Sequence, residues 1–187
     1  MSNALLTYNE VANEWLEHLV YKGNFVTLRT VLEDTGATKI IGALGCNDLA
    51  QTDVEGCKQR VTAFLKLVRE ISPDITIFMQ SVMPILNVQS DFNQPEVETF
   101  NAWLKDSAES LGYCYIELDK PFKGPDGTLS DDYMYNATHI NLSGGPVWYQ
   151  ELMKPENYYH FPEALMVEYA AATGEPLESA PEVPLPA

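Results

Sequence analysis

Two short stretches hold side chains of the types that acyl transfer requires. The first is GCND, Gly45 to Asp48. An asparagine amide such as Asn47 can donate a hydrogen bond to an oxygen that turns negative as a carbonyl is attacked, and Gly45 ahead of it permits the tight turn that presents it. The second is YNATHINLSGG, Tyr135 to Gly145, which carries His139, one of three histidines in the chain. Imidazole is the side chain whose ordinary protonation range suits a base near neutral pH. Each residue also has a plain structural reading, Asn47 or Asp48 as a turn or helix cap and His139 as a surface or satisfied core residue. Chemistry gains ground only if other elements bring an oxyanion donor and a base to the same place.

Those elements can be read from hydrophobic spacing. TKIIGAL, Thr38 to Leu44, is a short apolar run without polar alternation, as in a strand buried on both faces, and GCND punctuates its end. Val61, Phe64, Leu65, Val68 and Ile71 recur at helical spacing within Val54 to Ile71, ahead of Pro73. ITIFMQSV, Ile75 to Val82, is a second apolar run, followed by a helical pattern over Glu96 to Leu111 that Gly112 is placed to end. YCYIEL, Tyr113 to Leu118, makes a third strand. Strands alternating with such helices predict a parallel sheet with helices on both faces, whose binding groups collect where loops leave the carboxyl ends of the strands. Both chemical stretches then lie on that edge.

Toward the start, Val11, Trp15 and Leu19 stand at four-residue intervals and predict an amphipathic helix over Tyr8 to Leu19, with a second short helix from Leu28 capped by Gly36 and no strong strand before Thr38. Residues 1–160 are expected to form the α/β domain. The remainder, 161–187, is a Pro/Glu-rich extension in which ALMVEYAAA has helical character and the last dozen residues are expected to be flexible.

Composition narrows the function classes. The 187 residues are 45% hydrophobic, enough for a real core, and 27 acidic against 11 basic residues give a net charge of −16. That surface repels phosphate backbones, so nucleic acid is not an expected partner. No apolar run approaches the roughly 20 residues of a membrane span, and the first residues lack a signal-peptide pattern, so a soluble, unaddressed chain is expected. Cys46, Cys57 and Cys114 fall at no zinc-site spacing and are expected to be reduced packing thiols; no metal and no cofactor are implied. Asn136-Ala137-Thr138 and Asn141-Leu142-Ser143 match a glycosylation pattern that also arises by chance.

Taken together, IIGALGCNDL and NATHINLSG resemble the glycine-x-asparagine-aspartate and aspartate-x-x-histidine segments of the SGNH, or GDSL-type, hydrolases, with the intervening strands and helices in register over about Thr27 to Met153. The resemblance implies a three-layer α/β/α, flavodoxin-like parallel sheet and a serine esterase acting on acyl or acetyl esters of carbohydrate or lipid-like alcohols. It assigns Asn47 as oxyanion donor with Gly45 shaping the turn, and His139 as the general base. Asn136 falls where the family usually has the aspartate that orients histidine, and Asp131 and Asp132 stand near enough in sequence to substitute.

One family element is missing. No Gly-Asp-Ser segment after an apolar strand occurs in this sequence, so no nucleophile is assigned; Ser81 lies within a strand and reads as packing. The family's first strand and nucleophile turn are expected to precede this chain, leaving its sheet without that strand and the chain alone inactive. An unpaired apolar edge at Lys39 to Leu44 would then favour self-association. Alternatives are a non-catalytic SGNH-like binding module and, more remotely, a Cys46 thiol working with His139. A redox domain of flavodoxin type would need a glycine-rich phosphate loop that is not present.

Overall fold

The structure is a computed structural model that describes residues 5–9, 14–86, 93–162 and 165. Three strands come first, β1 (Leu5–Asn9), β2 (Glu14–Tyr21) and β3 (Asn24–Val26), joined as an antiparallel sheet in that order. The helix predicted over Tyr8 to Leu19 is therefore corrected to strand over residues 8–9 and 14–19, residues 10–13 lying outside the described residues, and the expectation of no strand before Thr38 is corrected too. The physical reason is that a four-residue interval, such as that from Trp15 to Leu19, is also an even one and fits the period of a strand as well as that of a helix. Lys22 and Gly23, both with positive φ (51° and 80°), form the two-residue hairpin turn that closes Tyr21 on Asn24.

The α/β part follows the sequence reading closely. Helix α1 (Leu28–Thr35) starts at Thr27, whose hydroxyl accepts from the Thr30 N–H at 3.1 Å, and ends at left-handed Gly36. Strand β4 (Lys39–Gly42) leads to the short helix α2 (Cys46–Leu49), and α3 (Val54–Ile71) is capped by the Asp53 carboxylate on the Gly56 N–H. Strand β5 (Thr76–Gln80) precedes α4 (Gln94–Leu111), which opens on a reciprocal Asn93–Glu96 capping box and closes at left-handed Gly112. Then come β6 (Cys114–Ile116), the small antiparallel pair β7 (Met134–Asn136) and β8 (His139–Ile140), α5 (Gly144–Leu152) and β9 (Tyr158–Tyr159).

The main sheet runs β4-β5-β6-β9, with β4, β5 and β6 mutually parallel and β9 antiparallel to β6. Alternation along the strands divides the core. Ile77, Met79 and Tyr115 pack with α1, α3 and α4 through residues such as Leu32, Phe64, Val68, Phe100 and Leu104. Phe78, Cys114 and Ile116 point the other way, toward Trp148, Leu152, Phe161 and Leu165. Each fully buried large side chain contributes roughly 1.5–3 kcal/mol, so two such faces hold the sheet firmly.

Strand β4 departs from the expectation of burial on both faces: Ile41 is 50% exposed. Among the described residues β4 pairs only with β5, and Ile41 lies beside Phe78, Ile116, Tyr158 and Phe161 on a groove of about 330 Å³. Apolar character alone does not tell a central strand from an edge strand whose neighbour is missing. The helical reading of ALMVEYAAA and the flexible tail lie outside the described residues, apart from Leu165, which is buried.

Candidate functional site

Three loops leave the carboxyl ends of β4, β5 and β6, and the sequence-predicted residues sit on two of them. Gly45 follows β4 with φ of 120°, its backbone pressed against Val82 and Phe100 so closely that a Cβ would stand 2.8 Å from the first and 2.4 Å from the second. Only glycine satisfies both the dihedral and the space. The next residues wind into α2, closed by the Leu49 N–H on the Gly45 carbonyl at 2.8 Å.

Asn47 is exposed on α2, and among the described residues its amide makes no hydrogen bond. The turn is held without it, by backbone bonds and by Asp48. Arg60, buried in α3, donates to Asp48 Oδ1 at 2.9 Å and to Gln51 at 3.3 Å, tying α2 to the body of the domain. The local-cap reading of Asn47 thereby loses its support, and that of Asp48 is replaced by a tertiary ion pair.

The loop after β5 links the two stretches. Asn101 of α4 grips Val82 from both sides, Oδ1 accepting from its N–H at 2.8 Å and Nδ2 donating to its carbonyl at 2.9 Å. Four residues on, the Leu86 N–H donates to the Ala137 carbonyl at 2.9 Å, in the turn that carries His139. Gly45 thus touches Val82, and the chain running from Val82 touches the histidine turn. Ser81 is buried with its Oγ accepting from the Leu118 N–H at 2.9 Å, which agrees with its reading as packing.

His139 is exposed at the start of β8, and Asn136 at the end of β7 faces it with Oδ1 2.9 Å from Nδ1. Thr138 Oγ1 lies 3.0 Å from the same nitrogen. Among the described residues no carboxylate bonds to the ring: neither Asp131 nor Asp132 replaces Asn136. The structure therefore brings His139 and Asn136 into contact and places Asn47 on the same sheet edge, without a direct contact between Asn47 and His139. Cys46 is half-buried, and burial together with the Asp48 charge pushes its thiol up, away from the thiolate that a nucleophile needs. No group of His, Cys, Asp and Glu suited to a metal ion occurs among the described residues.

Sequence reasoning missed the residues that hold this edge in place, chiefly Arg60 and Asn101. Both had a signal. Arg60 falls in the stripe of Cys57, Val61, Phe64 and Val68, and Asn101 in that of Val97, Leu104 and Ala108, so each polar residue stands on an apolar face and must have found a partner there.

The architecture is that of the mixed α/β class, a parallel-containing sheet with helices packed on it. Within that class, the model of the GDSL-like lipase/acylhydrolase family matches residues 20–145, and the chain belongs to this family. Solved structures with the same fold include a GDSL-like lipase from Bacteroides thetaiotaomicron VPI-5482 (15% identity, TM-score 0.56, covering 67% of this chain and 63% of that one). A carbohydrate esterase family 3 protein from Talaromyces cellulolyticus gives 13% identity and a TM-score of 0.52, covering 65% and 57%. A mutant of Axe2, an acetyl-xylooligosaccharide esterase from Geobacillus Stearmophilus, gives 15% and 0.51, covering 67% and 64%. At these identities the likeness is one of fold, and the chain spans less than two thirds of the length of each. None of the curated proteins compared with it matches significantly.

Proposed function

We propose that this chain carries the oxyanion donor and the general base of an ester hydrolase acting on acyl or acetyl esters of small carbohydrate or lipid-like alcohols, and that the nucleophilic serine comes from outside these 187 residues. The observation that carries the reading is the His139–Asn136 contact on the same sheet edge as an Asn47 amide with no local partner. His139 would take the proton of a serine hydroxyl and return it to the leaving alcohol while Asn47 donates to the oxyanion. Family membership supports acyl-hydrolase chemistry, and the esterases sharing the fold support the substrate class. The competing reading is a non-catalytic module that binds acylated ligands, in keeping with a sequence that contains no Gly-Asp-Ser segment. The encoding DNA upstream of the Met1 codon decides between them: an in-frame Gly-Asp-Ser segment, whose longer product hydrolyses esters and loses that activity on His139→Ala, supports the enzyme, and an early stop supports the module.

Among the described residues β4 pairs on one side only, which adds a partner to this proposal, a second copy of the chain. Backbone groups along residues 40–42, with Ile41 half-exposed, offer a template for strand pairing. Light scattering over a dilution series is expected to show association that Ile41→Lys abolishes. A strict monomer at high concentration whose amides at residues 40–43 resist hydrogen exchange would mean the edge is covered from within, and association would be wrong.

A further inference from the structure

In the reading of His139 as a base, its Nε2 must carry the lone pair, so the ring proton must sit on Nδ1. A carboxylate beside Nδ1 enforces this because it can only accept. An amide has two faces: with its NH2 toward the ring it would impose the opposite tautomer, and with its oxygen toward the ring it would act as the carboxylate does. Which face Asn136 presents is therefore decisive, and it follows from neighbours whose hydrogens are not in question.

The Asn136 atom facing the ring also lies 3.0 Å from the backbone nitrogen of Thr138 and 3.0 Å from that of His139. Both are N–H donors that cannot accept. An NH2 group at this position would point its hydrogens at two others, so the atom is the oxygen. A deprotonated Nδ1 at 2.9 Å would then set one lone pair against another. The Thr138 hydroxyl is compatible with the same arrangement: with its hydrogen on Asn136 Oδ1 at 3.4 Å, its lone pairs face Nδ1 at 3.0 Å. The Asn136 oxygen is the neighbour that discriminates, and it is satisfied when Nδ1 carries the proton.

We infer that Asn136 is a positioning residue whose backbone-locked amide oxygen holds neutral His139 in its Nδ1–H tautomer and leaves Nε2 as the base. This deepens the proposed acyl-transfer reading and rests on it for its use, but the tautomer is measurable without any reaction. The departure from aspartate then costs the site the charge that stabilises imidazolium while preserving the geometry of proton abstraction.

The test is the long-range ¹H–¹⁵N spectrum of the His139 ring in the intact chain, recorded at a pH where the ring is neutral. The expected result is a protonated-type Nδ1 and a lone-pair-type Nε2. Asn136→Asp is expected to keep that pattern, because an acceptor remains. Asn136→Ala is expected to shift the tautomer ratio toward Nε2–H by about tenfold, the scale of one hydrogen bond. Thr138→Val is expected to leave Nδ1–H in the majority. A ring that is mainly Nε2–H in the unaltered chain overturns the inference whatever the variants do, as does a ratio that moves with Thr138→Val and not with Asn136→Ala. An early upstream stop would remove the esterase reading and leave the tautomer result standing.

Discussion

Given a short-chain ester such as p-nitrophenyl acetate, the 187-residue chain is expected to turn over about a millionfold more slowly than a complete serine hydrolase. Base and oxyanion donor alone form no acyl intermediate, and loss of the nucleophile from a serine hydrolase costs on the order of 10⁶ in turnover. Ser81 does not repair the loss, being buried with its oxygen accepting from the Leu118 N–H. Ser143 is exposed but its hydroxyl bonds Asn141 Oδ1 at 2.5 Å and the Asp132 carbonyl at 3.2 Å, and the Cys46 thiol is pushed up by burial and by Asp48. Ester turnover near that of a complete serine hydrolase, abolished by Cys46→Ser, would overturn this expectation and install the thiol as nucleophile.

Gly45→Ala is expected to destabilise the fold by about 4 kcal/mol. The new Cβ would stand 2.4 Å from Phe100 Cε1 and 2.8 Å from Val82 Cγ2, and the backbone there has φ of 120°. Overpacking typically costs about 1–3 kcal/mol and a residue held in a sparsely allowed region about 1–3 more. Neither neighbour yields easily. Phe100 is fully buried and stacked on Trp103 at 5.7 Å, while the Val82 backbone is clamped on both sides by Asn101. Gly127→Ala is the control, since φ is 81° there but the space beyond is open, so only the smaller backbone cost applies. Urea unfolding reads both, and equal midpoints for the two variants would show that Gly45 is not the packed hinge described here.

The α/β elements were legible because their signals are local and redundant. Asp53 and Gly112 cap their helices, Thr27 and Gly36 bound α1, and the apolar stripes of α3 and α4 repeat over five turns. The opening strands were misread because the four-residue spacing of Trp15 and Leu19 fits both periods, and the Lys22-Gly23 turn has an unfavoured residue at its first position. β9 is two residues long and pairs with β6 far away in sequence, Tyr159 opposite Tyr115, a contact that no local pattern announces. At the site, residue types marked Gly45, Asn47, Asn136 and His139, but hydrogen-bond roles did not follow from types. Asn136 reads in sequence as a lost charge; only the two backbone N–H groups on its oxygen reveal a preserved acceptor.

We propose that Asn47 and His139 serve one acyl-transfer site. An NMR titration with methylphosphonate, a tetrahedral anion shaped like the oxyanion intermediate, tests it most directly by following the Asn47 side-chain NH2 and the His139 ring protons together. Both sets of signals are expected to move along one saturating curve with a common midpoint, and Asn47→Ala to weaken the binding seen at His139 by about tenfold, the worth of one hydrogen bond to a charged group. Separate midpoints, or a His139 response untouched by Asn47→Ala, would contradict it.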